Sequence, residues 1–160
     1  MNEKSEGFVR EFAIPDEAAT EALGAQIAAR LAPGDAVALE GDLGAGKTTL
    51  ARAILHALGV SEPVPSPTFT LVQHYETATL PVDHFDLYRV KAEAELDQLG
   101  IEEALADGAV LVEWPERAES RLPTSALRVQ LEIRAANSRR ITISGPSHWA
   151  SAFPEPTSDT

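Results

Sequence analysis

The sequence predicts an α/β protein, a mostly parallel sheet flanked by helices with antiparallel strands added. Three observations carry that expectation. The short apolar runs Ala36-Val37-Ala38-Leu39 and Ala109-Val110-Leu111-Val112 lack the alternation of a half-exposed strand and therefore read as buried on both faces. Between such runs stand segments whose apolar residues recur at helical spacing. Glycine and proline punctuate the junctions, as at Pro33-Gly34 and Gly59.

In chain order, Phe8 to Ile14 alternates well enough for a first strand, and Asp16 to Leu31 offers Ala18, Ala22, Leu23, Ile27 and Leu31 to one helical face. Asp35 to Glu40 follows as a buried parallel strand. Leu50, Ile54, Leu55 and Leu58 give the next helix its apolar stripe, and Gly59 suits its C-terminal cap. Pro63, Pro65 and Pro67 preclude a helix or central strand across Ser61 to Pro67, so a fixed, exposed loop leads into a β-rich stretch, Thr68 to Tyr75. Val82 to Leu87 reads as a strand, Ala92 to Ala106 as a helix broken near Gly100, and Ala109 to Glu113 as a buried strand. Leu127 to Ile133 and Arg140 to Ser144 alternate like a late hairpin. Residues 1–145 are expected to form one domain. Residues 146–160, rich in Pro, Ser, Thr and Asp, are expected to be a flexible tail in which Trp149 and Phe153 are suited to dock on the body.

Composition narrows the chemistry. A chain of 160 residues fits one well-buried domain, and the absence of cysteine excludes disulfides and thiolate zinc sites. Lys plus Arg number 13 against 25 Asp plus Glu, giving a net charge of −12 that repels nucleic acid unless a local basic patch compensates. Arg139-Arg140, Arg117 and Arg121 are the nearest candidates for such a patch. Any role on RNA is expected to run through a partner. Met1 to Glu6 lacks the order of a signal peptide and no apolar run approaches spanning length, so a cytoplasmic protein is expected.

The chemically informative segment is Gly41-Asp42-Leu43-Gly44-Ala45-Gly46-Lys47-Thr48, which fits the P-loop pattern G-x-x-x-x-G-K-[ST] at the predicted turn from strand to helix. Its glycines let the backbone approach a phosphate closely, so that successive N–H groups converge on the anion. The helix N-terminus adds unpaired donors, Lys47 adds a full charge near the β- and γ-phosphates, and the Thr48 hydroxyl suits Mg²⁺. The lysines are Lys4, Lys47 and Lys91 alone, so local abundance does not explain Lys47. MgATP or MgGTP is the ligand these parts fit.

Such sites need a carboxylate at the end of a neighbouring apolar strand. Glu113 ends one such run and Asp86 another. Either suits the metal, and either suits the base that orients an attacking water; the residues leave both assignments open. His84 shares a strand face with Asp86. Ser66-Pro67-Thr68-Phe69, a stiff loop with two hydroxyls, is suited to sense a γ-phosphate or touch Mg²⁺, or to be an ordinary turn.

Together these segments resemble the TsaE (formerly YjeE) family of P-loop ATPases. The matching pieces are Gly41 to Thr49, Ser66 to Val72, His84-Phe85-Asp86-Leu87-Tyr88-Arg89, Leu99-Gly100-Ile101 and Glu113-Trp114-Pro115-Glu116, spanning roughly residues 35 to 120. The resemblance implies a P-loop NTPase-like fold and a Mg-dependent ATPase that works with TsaB and TsaD to form threonylcarbamoyladenosine in tRNA. It implies that Gly41, Asp42, Leu43, Gly44, Ala45, Gly46, Lys47, Thr48 and Thr49 bind ATP. Thr48 and Glu113 would ligate Mg²⁺, with Asp86 at the metal or the nucleophilic water, and Lys47, Asp86 and Glu113 would carry catalysis. Ser66 to Thr70 would be a switch loop, Trp114 a packing or partner-responsive residue, and Pro15 to Thr20 would lie near adenine.

Three other readings compete. A small-molecule kinase would use the same cradle, with Arg117 and Arg121 imitating a lid. A GTPase is disfavoured because no Asn-Lys-x-Asp segment occurs, the asparagines being Asn2 and Asn137. A non-catalytic adaptor would bind ATP without turning it over.

Overall fold

The computed structural model describes residues 7–153 apart from Leu43, Ser66, Thr68, Phe69, Ala136 and Asn137. The elements run β1 (Phe8–Ile14), α1 (Glu17–Arg30), β2 (Ala36–Glu40), α2 (Lys47–Ala57), β3 (Val72–Glu76), β4 (Pro81–Asp86), α3 (Glu93–Asp97), α4 (Ile101–Asp107), β5 (Ala109–Glu113), β6 (Leu127–Ile133) and β7 (Arg139–Gly145). Two 3₁₀ segments, Pro115–Arg121 and Ser147–Ala152, complete the described chain.

The strands form a seven-stranded sheet in the order β1-β7-β6-β2-β5-β4-β3. Its centre is parallel: β2 pairs with β5 and β6, and β4 with β5. Antiparallel pairs extend both flanks, β6 with β7 and β7 with β1 on one side, β3 with β4 on the other. This is the expected α/β architecture.

Burial on both faces explains the unbroken apolar strands. Val37 and Leu39 of β2 and Leu111 of β5 join Leu23 and Ile27 of α1 and Leu50 and Ile54 of α2 in one core cluster. Ala36, Ala38, Val110 and Val112 face the other way, into a cluster with Phe85, Leu96 and Ile101. Asp16 caps α1, its Oδ1 accepting from the Ala19 N–H at 3.0 Å, which satisfies one donor of the first turn.

Three expectations need correction. Ala18 and Ala22 are exposed, and α1 instead buries Leu23, Gly24, Ile27 and Ala28, because it rests on α2 through its glycine. The strand expected from Thr68 starts only at Val72, since Leu71 turns through φ 71°. The loop before it is not exposed throughout: Val64 and Pro67 are buried. Trp149 and Phe153, 1% and 2% exposed, dock on the body as expected: both join the core cluster that holds α1 and α2, and Phe153 stacks on Phe8. The remainder of the expected tail, 154–160, lies outside the described residues.

Candidate active site

The site grows from the carboxyl end of β2, where Glu40 hands over to the glycine loop. Gly41, Gly44 and Gly46 take φ of 151°, 81° and 106°. A side chain is excluded at Gly41 on space as well, because a Cβ there would stand 2.7 Å from the Leu131 carbonyl oxygen. Gly46 is the N-cap of α2 and offers no side chain to its first-turn N–H groups, which leaves those donors for an anion.

Lys47 opens α2 and is buried. Its Nζ donates to the carbonyls of Gly41 at 2.6 Å and Asp42 at 3.0 Å and lies 4.1 Å from the centre of the Trp114 ring. Burial lowers its pKa, and the charges of Glu113, Asp86, Glu116 and Asp42 oppose that shift. The lysine is thus ringed by carboxylates that favour its charged form and would equally favour a second cation.

Next on α2, the Thr48 hydroxyl donates to the Glu113 carboxylate, with Oε1 and Oε2 both 2.9 Å away. Glu113 ends β5 at 2% exposure, and its Oε2 also lies 2.7 Å from Nε2 of His84. Asp86 ends the adjacent β4, opposite Glu113 in register, and its Oδ1 accepts from the Tyr88 N–H at 3.1 Å. Parallel pairing brings both carboxylates to the same sheet end as the glycine loop, the end where such folds bind ligands.

Lys47, Thr48, Thr49, Asp86, Glu113 and Arg139 line one cavity of about 380 Å³. Gly44 and Gly46 of the glycine loop line it together with both strand-end carboxylates, whereas Gly41 and Asp42 line a separate cavity beside β6 and Ala45 faces the adjoining one. Leu43, Ser66, Thr68 and Phe69, named from the sequence as loop or switch residues, lie outside the described residues; Pro67 is buried and Thr70 exposed. Pro15 to Thr20 contributes to an adjoining cavity of about 550 Å³ that shares Gly46, Thr49 and Arg139 with the first.

A hard divalent cation fits the donor set of a hydroxyl and two carboxylates. Among the described residues no three acidic or histidine side chains converge to hold a metal by themselves. An ion sharing its coordination with phosphate oxygens and water needs no such cage.

Arg139 was missed as a site residue. Its Nε donates to Ala45 O at 2.8 Å and its Nη2 to Gly44 O at 3.1 Å, so it holds two loop carbonyls outward. In a trans peptide the following N–H then points the opposite way, which for Ala45–Gly46 is away from Arg139. The only signal was topological: β6 runs parallel to β2, so the hairpin after it, and Arg139 at the start of β7, return to the loop end. Arg140 pairs with Glu11 at 2.7 Å, so the two arginines do not make the basic patch considered from sequence.

Trp114 follows Glu113 in the left-handed region, φ 60°, an unfavourable conformation for a large residue. It packs between Lys47 and Tyr88, whose ring centre is 4.9 Å away.

Comparison with known proteins bears on this arrangement. The family model for "Threonylcarbamoyl adenosine biosynthesis protein TsaE" matches residues 14–141. The chain belongs to the TsaE family. Relatives named tRNA threonylcarbamoyladenosine biosynthesis protein TsaE include that of Rickettsia felis, 41% identical over 131 residues, covering 81% of this chain and 77% of the relative. The Bacillus subtilis TsaE is 40% identical over 129 residues, 80% and 79% of the two chains. The crystal structure of Bacillus subtilis YdiB superposes with a TM-score of 0.75 at 31% identity, covering 89% of this chain and 88% of that one. The TsaE match includes the glycine loop, both strand-end carboxylates and Arg139. The fold is accordingly P-loop NTPase-like, and the family is one of tRNA threonylcarbamoyladenosine biosynthesis.

Proposed function

We propose that the protein is a Mg-dependent ATPase that acts with TsaB and TsaD in forming threonylcarbamoyladenosine in tRNA, its hydrolysis of ATP driving turnover of that complex. The observation that carries the reading is the contact of Thr48 with Glu113, set beside Lys47 and Asp86 in one cavity. These are the groups that MgATP needs, at the end of the sheet where it would lie.

In this reading the backbone of Gly41 to Thr49 cradles the phosphates, Lys47 balances the β- and γ-phosphate charge, and Thr48 and Glu113 hold the cation. When bound, Mg²⁺ supplies positive charge to the phosphate oxygens and neutralises charge developing on the leaving group. Asp86 orients the attacking water. The second cavity beside Pro15 to Thr20 takes the base. Partners carry the RNA, consistent with a net charge of −12, and the setting is cytoplasmic. No helix among the described residues is long and apolar enough to cross a membrane.

A small-molecule kinase is less well supported. Arg121, which would imitate its lid, is engaged elsewhere by Asp97 at 2.8 Å and Glu93 at 3.6 Å.

The test is Mg²⁺-dependent phosphate release from ATP, by the protein alone and with a TsaB–TsaD pair and substrate tRNA, beside Lys47→Ala and Glu113→Gln. Release that depends on Lys47 and rises with the pair is expected. ATP bound without any release, or phosphate appearing on a metabolite, would overturn the ATPase reading.

A further inference from the structure

We infer that His84 is a positioning residue of this site: its Nε2–H fixes the Glu113 carboxylate and, through it, the cation-binding edge made with Thr48. The inference rests on the nucleotide reading above and adds to it a residue that never touches the nucleotide.

His84 lies on β4 at 0% exposure, and its Nε2 stands 2.7 Å from Glu113 Oε2. Its other nitrogen, Nδ1, is also buried and has no hydrogen-bond partner among the described residues. The two facts assign the tautomer. A carboxylate only accepts, so Nε2 carries the hydrogen, and a hydrogen on Nδ1 would have nothing to receive it.

An unsatisfied buried nitrogen is unfavourable. An apolar residue would fill this place without that penalty, as Val82 does two residues earlier on the same face and Leu111 does on the neighbouring strand. What the histidine adds is one donor, aimed at Glu113. A glutamate's last torsion is broad, so the Thr48 hydroxyl, equidistant from both oxygens, does not by itself fix the carboxylate plane. The bond from His84 singles out Oε2 and fixes that plane. The remaining lone pairs then face the Thr48 side, where the cation would be shared.

Three substitutions separate this from a merely structural role. The Gln amide nitrogen lies as many bonds from Cβ as Nε2 does, whereas the Asn amide reaches only the place of Nδ1; Leu provides neither. Mg²⁺ affinity of the ATP-bound protein is measured for His84→Gln, His84→Asn and His84→Leu, beside ATP affinity in EDTA. Asn and Leu should lose about 10–100-fold in Mg²⁺ affinity with ATP affinity in EDTA unchanged, and Gln should recover most of it. Equal Mg²⁺ affinity for Gln and Asn, or undiminished affinity in Leu, overturns the inference.

Should Asn and Leu fail to fold, imidazole ¹⁵N shifts of the unaltered protein decide. The Nε2–H tautomer with a resonance that moves when Mg²⁺ joins ATP supports the inference; the other tautomer, or indifference to Mg²⁺, overturns it. ATP that binds the unaltered protein no better than Lys47→Ala would instead sink the nucleotide reading itself.

Discussion

Gly24→Ala is a test of how closely the two helices beneath the site are packed. The new Cβ would stand 2.6 Å from Ala53 Cβ, 2.8 Å from the Ala53 carbonyl carbon and 2.9 Å from the Ile54 nitrogen. Carbon atoms rest about 3.5–4.0 Å apart, so α1 and α2 must part by roughly 1 Å. Two of the three atoms are backbone, and no rotamer change relieves them. Alanine favours the helix over glycine by about 0.5–1 kcal/mol, whereas overpacking costs about 1–3 kcal/mol. With backbone in the way the second effect wins, for a net loss of about 1–2 kcal/mol, or a melting point lower by roughly 2–8 °C. Because α2 begins with Lys47 and Thr48, the same displacement should weaken the Thr48–Glu113 contact and with it Mg²⁺-dependent ATP binding. Urea unfolding and thermal melts measure the first effect, calorimetry the second. A variant as stable as the parent, or more so, would refute the packing argument. Adding Ala53→Gly removes one of the three contacts and should restore stability only in part.

Other predictions concern the site and its surroundings. Asp86→Asn should slow single-turnover hydrolysis by about 10²–10⁴-fold with little change in ATP affinity, since a group acting on water contributes in the transition state. Equal losses of rate and affinity would recast Asp86 as structural. Arg139→Met, which keeps an apolar stem but frees the carbonyls of Gly44 and Ala45, should weaken ATP binding about tenfold, or 1.4 kcal/mol, by calorimetry. Unchanged affinity would mean that the loop keeps its shape unaided. His74, bonded by Glu76 and Asp83, should titrate above the ordinary histidine value in a proton NMR titration. A raised pKa in the folded state stabilises fully below the ordinary value, and that contribution disappears as pH rises through the raised one; His74→Gln should remove the dependence. The exposed setting keeps it small.

The central strands and the phosphate loop were legible because their causes are local. A strand buried on both faces has no choice but a continuous apolar run, and the loop's glycines take a positive φ that residues with a side chain adopt only at a cost. Glu113 and Asp86 could be found for the same reason, as acids that break off such runs. What was not legible depends on partners distant in sequence. Gly24 looks like a flaw in a helix until α2 is laid against it. Leu71 sits in an apolar stretch that reads as strand but turns, its N–H bonded to Pro67 O at 2.7 Å and its carbonyl accepting from Asp86. Arg139 declares its role only once β6 is known to lie beside β2. For residues 147–153, which lack periodicity, the sequence offers two aromatic rings suited to dock but not the partners they meet, Phe8 for Phe153 and the core cluster of α1 and α2 for both.

The place of each carboxylate in the sheet has a dynamic consequence. Glu113 sits on β5, bonded on both sides by parallel neighbours, so releasing it requires opening the middle of the molecule. Asp86 sits one strand from the margin, and its own N–H is held by Leu71 at the head of the edge strand β3. Partial openings that detach β3 therefore reach Asp86 long before they reach Glu113. Hydrogen exchange should divide the two strands accordingly, and the group proposed to hold metal is the anchored one, while the group proposed to meet water can be gated from outside.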